Sequence, residues 1–210
     1  MTPERKFDRK KRNSETRKQK PKILIVAEGE NVTESQYFRS FQKQKSKCNI
    51  HIIIAKHITD PSGMFKAVRK KWKEMDLDSR KGDRAYVVLD LDCDDDKASV
   101  IKELAKKTKE VQFIVSNPCF EIWFLLHYRY STKAFYSGDA VIKELKKMIP
   151  EYEKTLDVSS RLSKLTNKAI ENSDNLRRYY DELEYEWPSA SCNPRTDVDI
   201  VIKRITKELD

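Results

Sequence analysis

The chain has 210 residues, with 43 Lys or Arg against 34 Asp or Glu, so its formal net charge is +9. Its mean hydropathy is -0.78, yet eight Phe, nine Tyr and three Trp are enough large side chains to build a core. The length suits one domain with a small annex. No apolar run reaches the roughly 20 residues that span a bilayer, and the N-terminus is charged, so we expect a cytoplasmic protein with no membrane partner.

Most of the positive charge lies at the start of the chain. Residues 1–22 contain ten basic and three acidic side chains, a net +7, which leaves 33 basic and 31 acidic, or +2, for the other 188. Lys and Arg bind nucleic-acid phosphates by releasing counterions. We therefore expect a basic, disordered tail over 1–21 that contacts nucleic acid; a solubilising arm without a partner is the alternative. The tail residues expected at phosphates are Arg9, Lys10, Lys11, Arg12, Arg17 and Lys18.

The spacing of Cys and Gly excludes several classes of protein. The four Cys form no Cys-x-x-Cys pair, which argues against a zinc knuckle or a thioredoxin-type site. The four Gly lie far apart, so the sequence contains neither a Gly-x-Gly-x-x-Gly motif nor a P-loop. We therefore do not expect a dinucleotide enzyme or a P-loop ATPase.

The first 130 residues alternate between strand and helix patterns. Continuous apolar runs predict buried strands at 22–27, 49–55, 85–89 and 111–115. Because buried strands joined by helices form parallel sheets, we predict an α/β domain over 22–135. From 139 onward only helical patterns occur, at 141–149, within 160–186 and at 196–209. These predict a helical annex over 136–210, packed on the same domain.

Local signals mark where the helices begin. Thr33 and Gln36 fit a capping box, in which Thr33 is the N-cap. Asp60 precedes Pro61, a combination typical of a helix start, and that helix is expected to end near Met75. Further helices are expected at 97–107 and 120–128.

Acidic side chains follow two of the predicted strands. Glu28 ends the first strand, Glu34 begins the next helix, and Asp90 and Asp92 end the third strand. Alternation would place Asp90 and Asp92 on one side of the strand, and Glu28 faces them if the first and third strands are neighbours. Clustered carboxylates repel one another unless a cation is bound, and oxygen ligands favour Mg²⁺ or Mn²⁺.

Several nearby residues have structural or functional interpretations. Asp95 or Asp96 is expected to cap the helix that follows. Glu121 follows the fourth strand on an apolar helix, and burying it alone is costly, so we expect it to serve the acidic site. On the same helix, His127 is interpreted as a core histidine. Carboxylates around Cys93 should raise its pKa and make it a poor nucleophile.

Four segments of the chain resemble RloB-like proteins. They are 23–30 with the Thr33-Glu34 and Tyr37-Phe38 pairs after it, 88–92, 116–127 and 193–196. The stretch Ser-Asn-Pro-Cys-Phe-Glu at 116–121 is the most specific of them. The resemblance covers almost the whole chain. It implies a Toprim fold, the metal-binding domain of topoisomerases, bacterial primases and OLD-type nucleases.

The resemblance also implies roles for the acidic residues. In Toprim proteins the first-strand glutamate and the Asp-x-Asp pair hold Mg²⁺ for phosphoryl transfer, which here are Glu28, Asp90 and Asp92. Glu34 is similar to the second glutamate that OLD-type nucleases use for an additional metal. We therefore expect a metal-dependent nuclease that cuts RNA, such as tRNA, or DNA, with Glu121 orienting a water.

The family context implies partners and leaves one alternative open. RloB-like proteins are similar to bacterial anti-phage defence components that are encoded with an ATPase or with restriction or CRISPR components. We expect Arg177 and Arg178 of the annex to help hold the nucleic-acid backbone. The alternative is a non-catalytic nucleic-acid-binding or regulatory subunit that acts with a partner ATPase.

Overall fold

The computed structural model describes residues 20–28, 32–42, 48–55 and 57–207. The predicted tail contacts, from Arg9 to Lys18, lie outside these residues. Within the described ranges, no helix has the length and apolar character needed to cross a membrane.

Five strands form a single sheet in the order β2-β1-β3-β4-β5. The strands are β1 (Lys22–Glu28), β2 (Asn49–Ala55), β3 (Arg84–Asp90), β4 (Val111–Asn117) and β5 (Arg195–Thr196). The first four are parallel, and β5 is antiparallel to β4. The predicted parallel sheet is confirmed, and so is the neighbourhood of β1 and β3, where Ala27 lies level with Val88.

The described residues form eight α-helices. They are α1 (Val32–Gln42), α2 (Pro61–Glu74), α3 (Asp95–Ala105), α4 (Glu121–Tyr128), α5 (Gly138–Leu145), α6 (Ser159–Leu162), α7 (Thr166–Glu182) and α8 (Val198–Lys207), with short 3-10 helices at Ser79–Lys81 and Ser163–Leu165. Helices cover both faces of the sheet, because its strands are apolar on both sides. Ile25 and Val88 belong to the core on one face with residues of α1, α4 and the annex; Val26 and Val87 belong to the core on the other face with residues of α2 and α3.

The predicted caps of α2 and α3 differ in outcome. Asp60 caps α2 as predicted, since its Oδ1 accepts from the Gly63 N–H at 2.7 Å. The cap of α3 is Asp94, whose carboxylate accepts from the N–H groups of Asp96 and Lys97, so neither predicted candidate is the N-cap. Asp95 and Asp96 instead occupy the first turn of α3, where their charge still favours the helix dipole.

The predicted capping box at the start of α1 is wrong. Thr33 lies inside the helix, and its hydroxyl donates to the Lys154 carbonyl oxygen at 3.0 Å. The Gln36 amide donates to the Thr155 carbonyl oxygen at 3.2 Å. Both side chains therefore bind α1 to the loop between α5 and α6, which is a tertiary contact that a local pattern cannot distinguish from a cap.

The annex is not purely helical, contrary to the prediction. Arg195 pairs with Asn117 and Thr196 with Ser116, so β5 extends the sheet beside the carboxyl end of β4. A strand of two polar residues is too short to show the alternation by which strands are recognised in a sequence. The Ser116 and Thr196 hydroxyls also lie 2.8 Å apart in the buried interior.

Candidate functional site

The candidate site lies at the carboxyl edge of the sheet, where β3 ends at Asp90. Beyond it the Leu91 N–H donates to the Ser116 carbonyl oxygen at 2.8 Å, and the Asp92 N–H donates to that of Pro118 at 2.9 Å. Asp92 has a φ of 58°, so the chain turns rather than continuing the pleat. The prediction that strand alternation puts Asp90 and Asp92 on one side is therefore wrong, although both lie at the same edge.

The other four predicted carboxylates all act on Asp90 at this edge. Asp90 is buried, and burial is the main cause that raises its pKa well above the ordinary value. The negative charges of Glu34, Glu121, Asp92 and Glu28 raise it further, in that order. The structure thus brings together residues from β1, α1, β3, the turn after β3 and α4.

Glu34 is the second buried carboxylate of the site. Only 3% of the residue is exposed, and its Oε2 has no hydrogen-bond partner among the described residues. Burial raises the pKa of Glu34 to about 8, with further contributions from Glu121 and Glu28 and an opposing one from Lys154. A buried, unpaired carboxylate oxygen is costly, so this atom needs a proton or a cation.

Glu121 is the first residue of α4 and is buried as well. Its Oε1 accepts a hydrogen bond from the Tyr152 hydroxyl at 3.1 Å. Burial, followed by the charges of Glu121 and Asp90, raises the pKa of the neighbouring Cys119 thiol well above its ordinary value. The structure places Glu121 close enough to Asp90 and Glu34 to raise their pKa, and its role at the site stays a prediction.

Glu28 and Asp92 lie at the margin of the cluster. Alternation assigns Glu28 to the sheet face of Val26, whereas Asp90 shares the face of Val88, so Glu28 and Asp90 meet across the sheet edge. The Asp92 side chain is 64% exposed, and its Oδ2 lies 2.9 Å from the Lys97 Nζ. These two carboxylates are therefore the most accessible of the five.

The sequence analysis missed Lys154, a basic residue that approaches the cluster. It is half-buried in the loop between α5 and α6. Burial alone would lower its pKa, but the charges of Glu121, Asp90 and Glu34 raise it above the ordinary value. Nothing in the sequence around Lys154 distinguishes it from the other surface lysines, because only the folded annex carries this loop to the sheet edge.

The donor chemistry of the site fits a hard divalent cation. The four predicted ligands, Glu28, Glu34, Asp90 and Asp92, are all carboxylates. Two of them are buried with raised pKa, and one oxygen of Glu34 has no hydrogen-bond partner among the described residues. In the described part of the chain, however, no three His, Cys, Asp or Glu side chains are arranged closely enough to hold an ion.

Two other residues behave as expected. The His127 ring is buried, with Nδ1 2.9 Å from the Trp123 carbonyl oxygen, and burial lowers its pKa to about 4. This confirms the interpretation of His127 as a core histidine. Burial and then the charge of Asp92 raise the pKa of Cys93, as predicted.

The two annex arginines differ in their surroundings. The Arg177 Nη2 lies 2.9 Å from the Asp199 Oδ1, and its Nη1 lies 2.7 Å from the Asp174 Oδ1. Arg177 is therefore engaged in the packing of α7 against α8 rather than turned to a ligand. Arg178 is exposed and bonded to Asn175, so it remains accessible to a phosphate.

Comparison with known proteins identifies the family. No curated protein and no solved structure matches the chain. The family model described as RloB-like protein matches residues 23–205, which is most of the chain and includes every carboxylate of the site. The chain therefore belongs to the family of RloB-like proteins.

Proposed function

We propose that this protein is a divalent-metal-dependent nuclease that hydrolyses phosphodiester bonds. The observation that carries the proposal is the gathering of four carboxylates around a fifth, buried Asp90. The half-buried Lys154 lies close enough for the charges of the three buried carboxylates, Glu121, Asp90 and Glu34, to raise its pKa. Strongly perturbed carboxylates gathered at the carboxyl edge of a parallel sheet are typical of a functional site. Membership of the RloB-like family supports the proposed nuclease function.

Each side chain has a role in the proposed reaction. Asp90, Glu34, Glu28 and Asp92 would hold Mg²⁺ or Mn²⁺, which would supply an activated water and stabilise the leaving oxygen. Glu121, fixed by the Tyr152 hydroxyl, orients the attacking water.

The substrate and the biological setting follow from the class of protein. RNA, tRNA among others, or DNA would be cut, in bacterial defence against phage. A partner ATPase or a component of a restriction or CRISPR system would restrain the enzyme or trigger it, because unrestrained cleavage harms the host. The exposed Arg178 and the basic residues 9–18 would hold the nucleic-acid backbone.

One observation favours a second candidate function. The carboxylates are not drawn together into a ligand set in the described residues. A regulatory or nucleic-acid-binding subunit that acts with a partner ATPase would keep this fold without turnover. Substituting the carboxylates would then leave its activity in the complex almost unchanged.

Cleavage by the purified protein separates the two functions. Labelled tRNA, single-stranded DNA and duplex DNA are incubated with Mg²⁺, Mn²⁺ or EDTA, using the wild type, Glu28→Gln and Asp90→Asn. Asp96→Asn is the matched control, since Asp96 is exposed in the nearby first turn of α3. We expect metal-dependent cutting that falls more than ~100-fold in both site variants, beyond the 10–100-fold typical of residues that only orient a metal ligand.

The opposite results are equally informative. Cutting that persists in EDTA, or that Asp90→Asn retains, would overturn the proposed nuclease. If no substrate is cut, the assay is repeated with the products of neighbouring genes. Activity of that complex that survives Asp90→Asn would establish the regulatory subunit instead.

A further inference from the structure

A second groove lies beside β4, away from the carboxylate cluster. It has a volume of about 1110 Å³ and runs between α3, the outer side of β4 and the segment 186–188. Its floor includes Phe113, and one end is formed by Trp187 and Arg195. Neither the proposed reaction nor the family match gives this groove a role.

Arg195 is the unusual residue of the groove. Only 5% of it is exposed, yet its Nε and Nη1 have no hydrogen-bond partner in the described part of the chain. Its guanidinium carbon lies 4.7 Å from the centre of the Trp187 ring, which fixes the plane of the group. Nε and Nη1 lie on different edges of the guanidinium, so one phosphate can accept from only one of them, and a held guanidinium with an unpaired donor is a group that binds phosphate.

The neighbouring carboxylates do not satisfy these donors. The Asp181 Oδ1 lies 3.5 Å from the Arg195 Nη1, longer than a charge-assisted hydrogen bond, and the Asp181 side chain is 60% exposed. An ion pair of this kind is worth little in water. The Asp197 Oδ2 accepts instead from the Trp187 Nε1 at 2.6 Å. An incoming anion can therefore displace Asp181 at small cost.

Lysines at intervals of four and three extend the positive charge along the groove. Half-buried Lys102 pairs with exposed Glu186, and exposed Lys106 pairs with exposed Glu103. Lys109 is exposed and has no ion pair among the residues that the structure describes. The row leads away from Arg195, so successive phosphates of one strand could follow it.

We propose that this groove binds single-stranded nucleic acid, with one phosphodiester on the Nη1 of Arg195. The half-buried Trp187 ring supplies a surface on which an unpaired base can stack, which a duplex does not offer. The inference rests on the proposed function, because the groove would hold the strand that the carboxylate site cuts.

The position of the groove suits that use. Asp90 lies level with Ser116 on β4, and Arg195 pairs with the next residue, Asn117. The backbones of β3 and β5 are two interstrand spacings apart, roughly 10 Å. Arg195 shares the sheet face of Phe113, opposite that of Asp90, so the strand would cross the carboxyl edge of the sheet between them.

Binding is tested without cleavage, in EDTA, with the full chain. Fluorescence anisotropy measures the affinity for a labelled oligothymidylate at several salt concentrations. We expect Arg195→Gln to weaken binding roughly tenfold and to reduce the slope of log K against log salt by about 0.7, the value for one phosphate contact on a single strand. Asp181→Asn, which removes the competing carboxylate, should tighten binding.

Controls keep the test independent of folding and of catalysis. Lys73→Gln on α2 removes an exposed charge outside the groove, and Lys109→Gln probes the groove without touching β5.

If Arg195→Gln does not fold, the affinities of Lys109→Gln and Asp181→Asn test the proposal instead. The proposal would be overturned if Lys109→Gln left the affinity unchanged and Asp181→Asn weakened it. It would also be overturned if Arg195 bound inorganic phosphate while the protein did not bind the oligothymidylate. Failure to cleave leaves these binding results unaffected.

Discussion

Asp90 and Glu34 show how burial and repulsion act together on single residues. Each is removed from water and faces the other's charge, so the pKa of Glu34 rises to about 8 and that of Asp90 rises well above its usual range. Each carboxyl therefore holds its proton more tightly than usual, and a divalent cation bound at the proposed site would have to displace it.

Lys154 gives the first prediction at the scale of the residue. Its ammonium lowers the pKa of Glu34, so it compensates part of the negative charge of the cluster. Lys154→Gln should therefore tighten Mn²⁺ binding, roughly threefold for one partly screened charge, while slowing cleavage. Calorimetric titration checks the affinity, with Lys146→Gln in the same annex as control. Weaker Mn²⁺ binding in Lys154→Gln would contradict this role.

His127 gives a prediction about pH. Its pKa falls from 6.5 in the unfolded chain to about 4 in the folded one, so the unfolded state binds the proton first. The stability that neutral His127 contributes is thus present above pH 6.5 and lost as the pH falls toward 4, by about 3 kcal/mol. Denaturant unfolding at several pH values should show that loss in the wild type relative to His127→Gln.

The control for this pH dependence is the exposed His57. His57→Gln should follow the wild type at every pH, because an exposed ring is solvated in both states. A difference between the wild type and His127→Gln that stays constant from pH 7 to pH 4 would show that His127 is not held neutral by burial.

At the scale of the element, Asn117 joins the main sheet to the annex. Its amide donates to the carbonyl oxygens of Ser189, Ala190 and Cys192 at 3.2, 3.2 and 2.9 Å. Its Oδ1 accepts from the Cys93 N–H at 3.1 Å. One buried side chain thus fixes both the segment before β5 and the turn that carries Asp92.

Asn117→Ala should lower the free energy of unfolding by about 3 kcal/mol. The change leaves several buried backbone groups without a hydrogen-bond partner, and each such group costs about 1–3 kcal/mol. Water that enters the space left by the side chain would reduce this total. Denaturant unfolding measures the loss, and Asn175→Ala, which removes a contact to the exposed Arg178, serves as the comparison. Equal losses of unfolding free energy in Asn117→Ala and Asn175→Ala would contradict a stabilising role of the Asn117 hydrogen bonds.

The elements also show what a sequence can reveal of this fold. The runs at β1 to β4 were predictable because both faces of these strands are apolar, and the cap of α2 because Asp60 and Pro61 act locally. Thr33 was misassigned because its hydroxyl binds Lys154, 121 residues away. The carboxylates were predictable as a group from strand ends. Lys154 and the groove at Arg195 depend on how the annex packs, which no local pattern encodes.

At the scale of the whole molecule, the basic tail is separated in sequence from a nearly neutral remainder. Residues 1–19 contain eight basic and three acidic side chains. Deleting them should weaken binding to single-stranded nucleic acid and reduce its salt slope by up to about 6, if all eight contact phosphates. Replacing Lys66, Lys70 and Lys73 of α2 by Gln controls for a simple change of net charge. An unchanged slope after the deletion would identify the tail as a solubilising arm.

Mn²⁺ binding tests the central claim most directly, because it does not depend on a substrate, a partner or a trigger. Isothermal titration calorimetry of the purified protein would compare the wild type with Asp90→Asn, Glu34→Gln and the control Asp96→Asn. We predict binding by the wild type and the control, and its loss in both site variants. Absence of binding in the wild type, or equal binding in all four proteins, would contradict a metal centre built on Asp90 and Glu34.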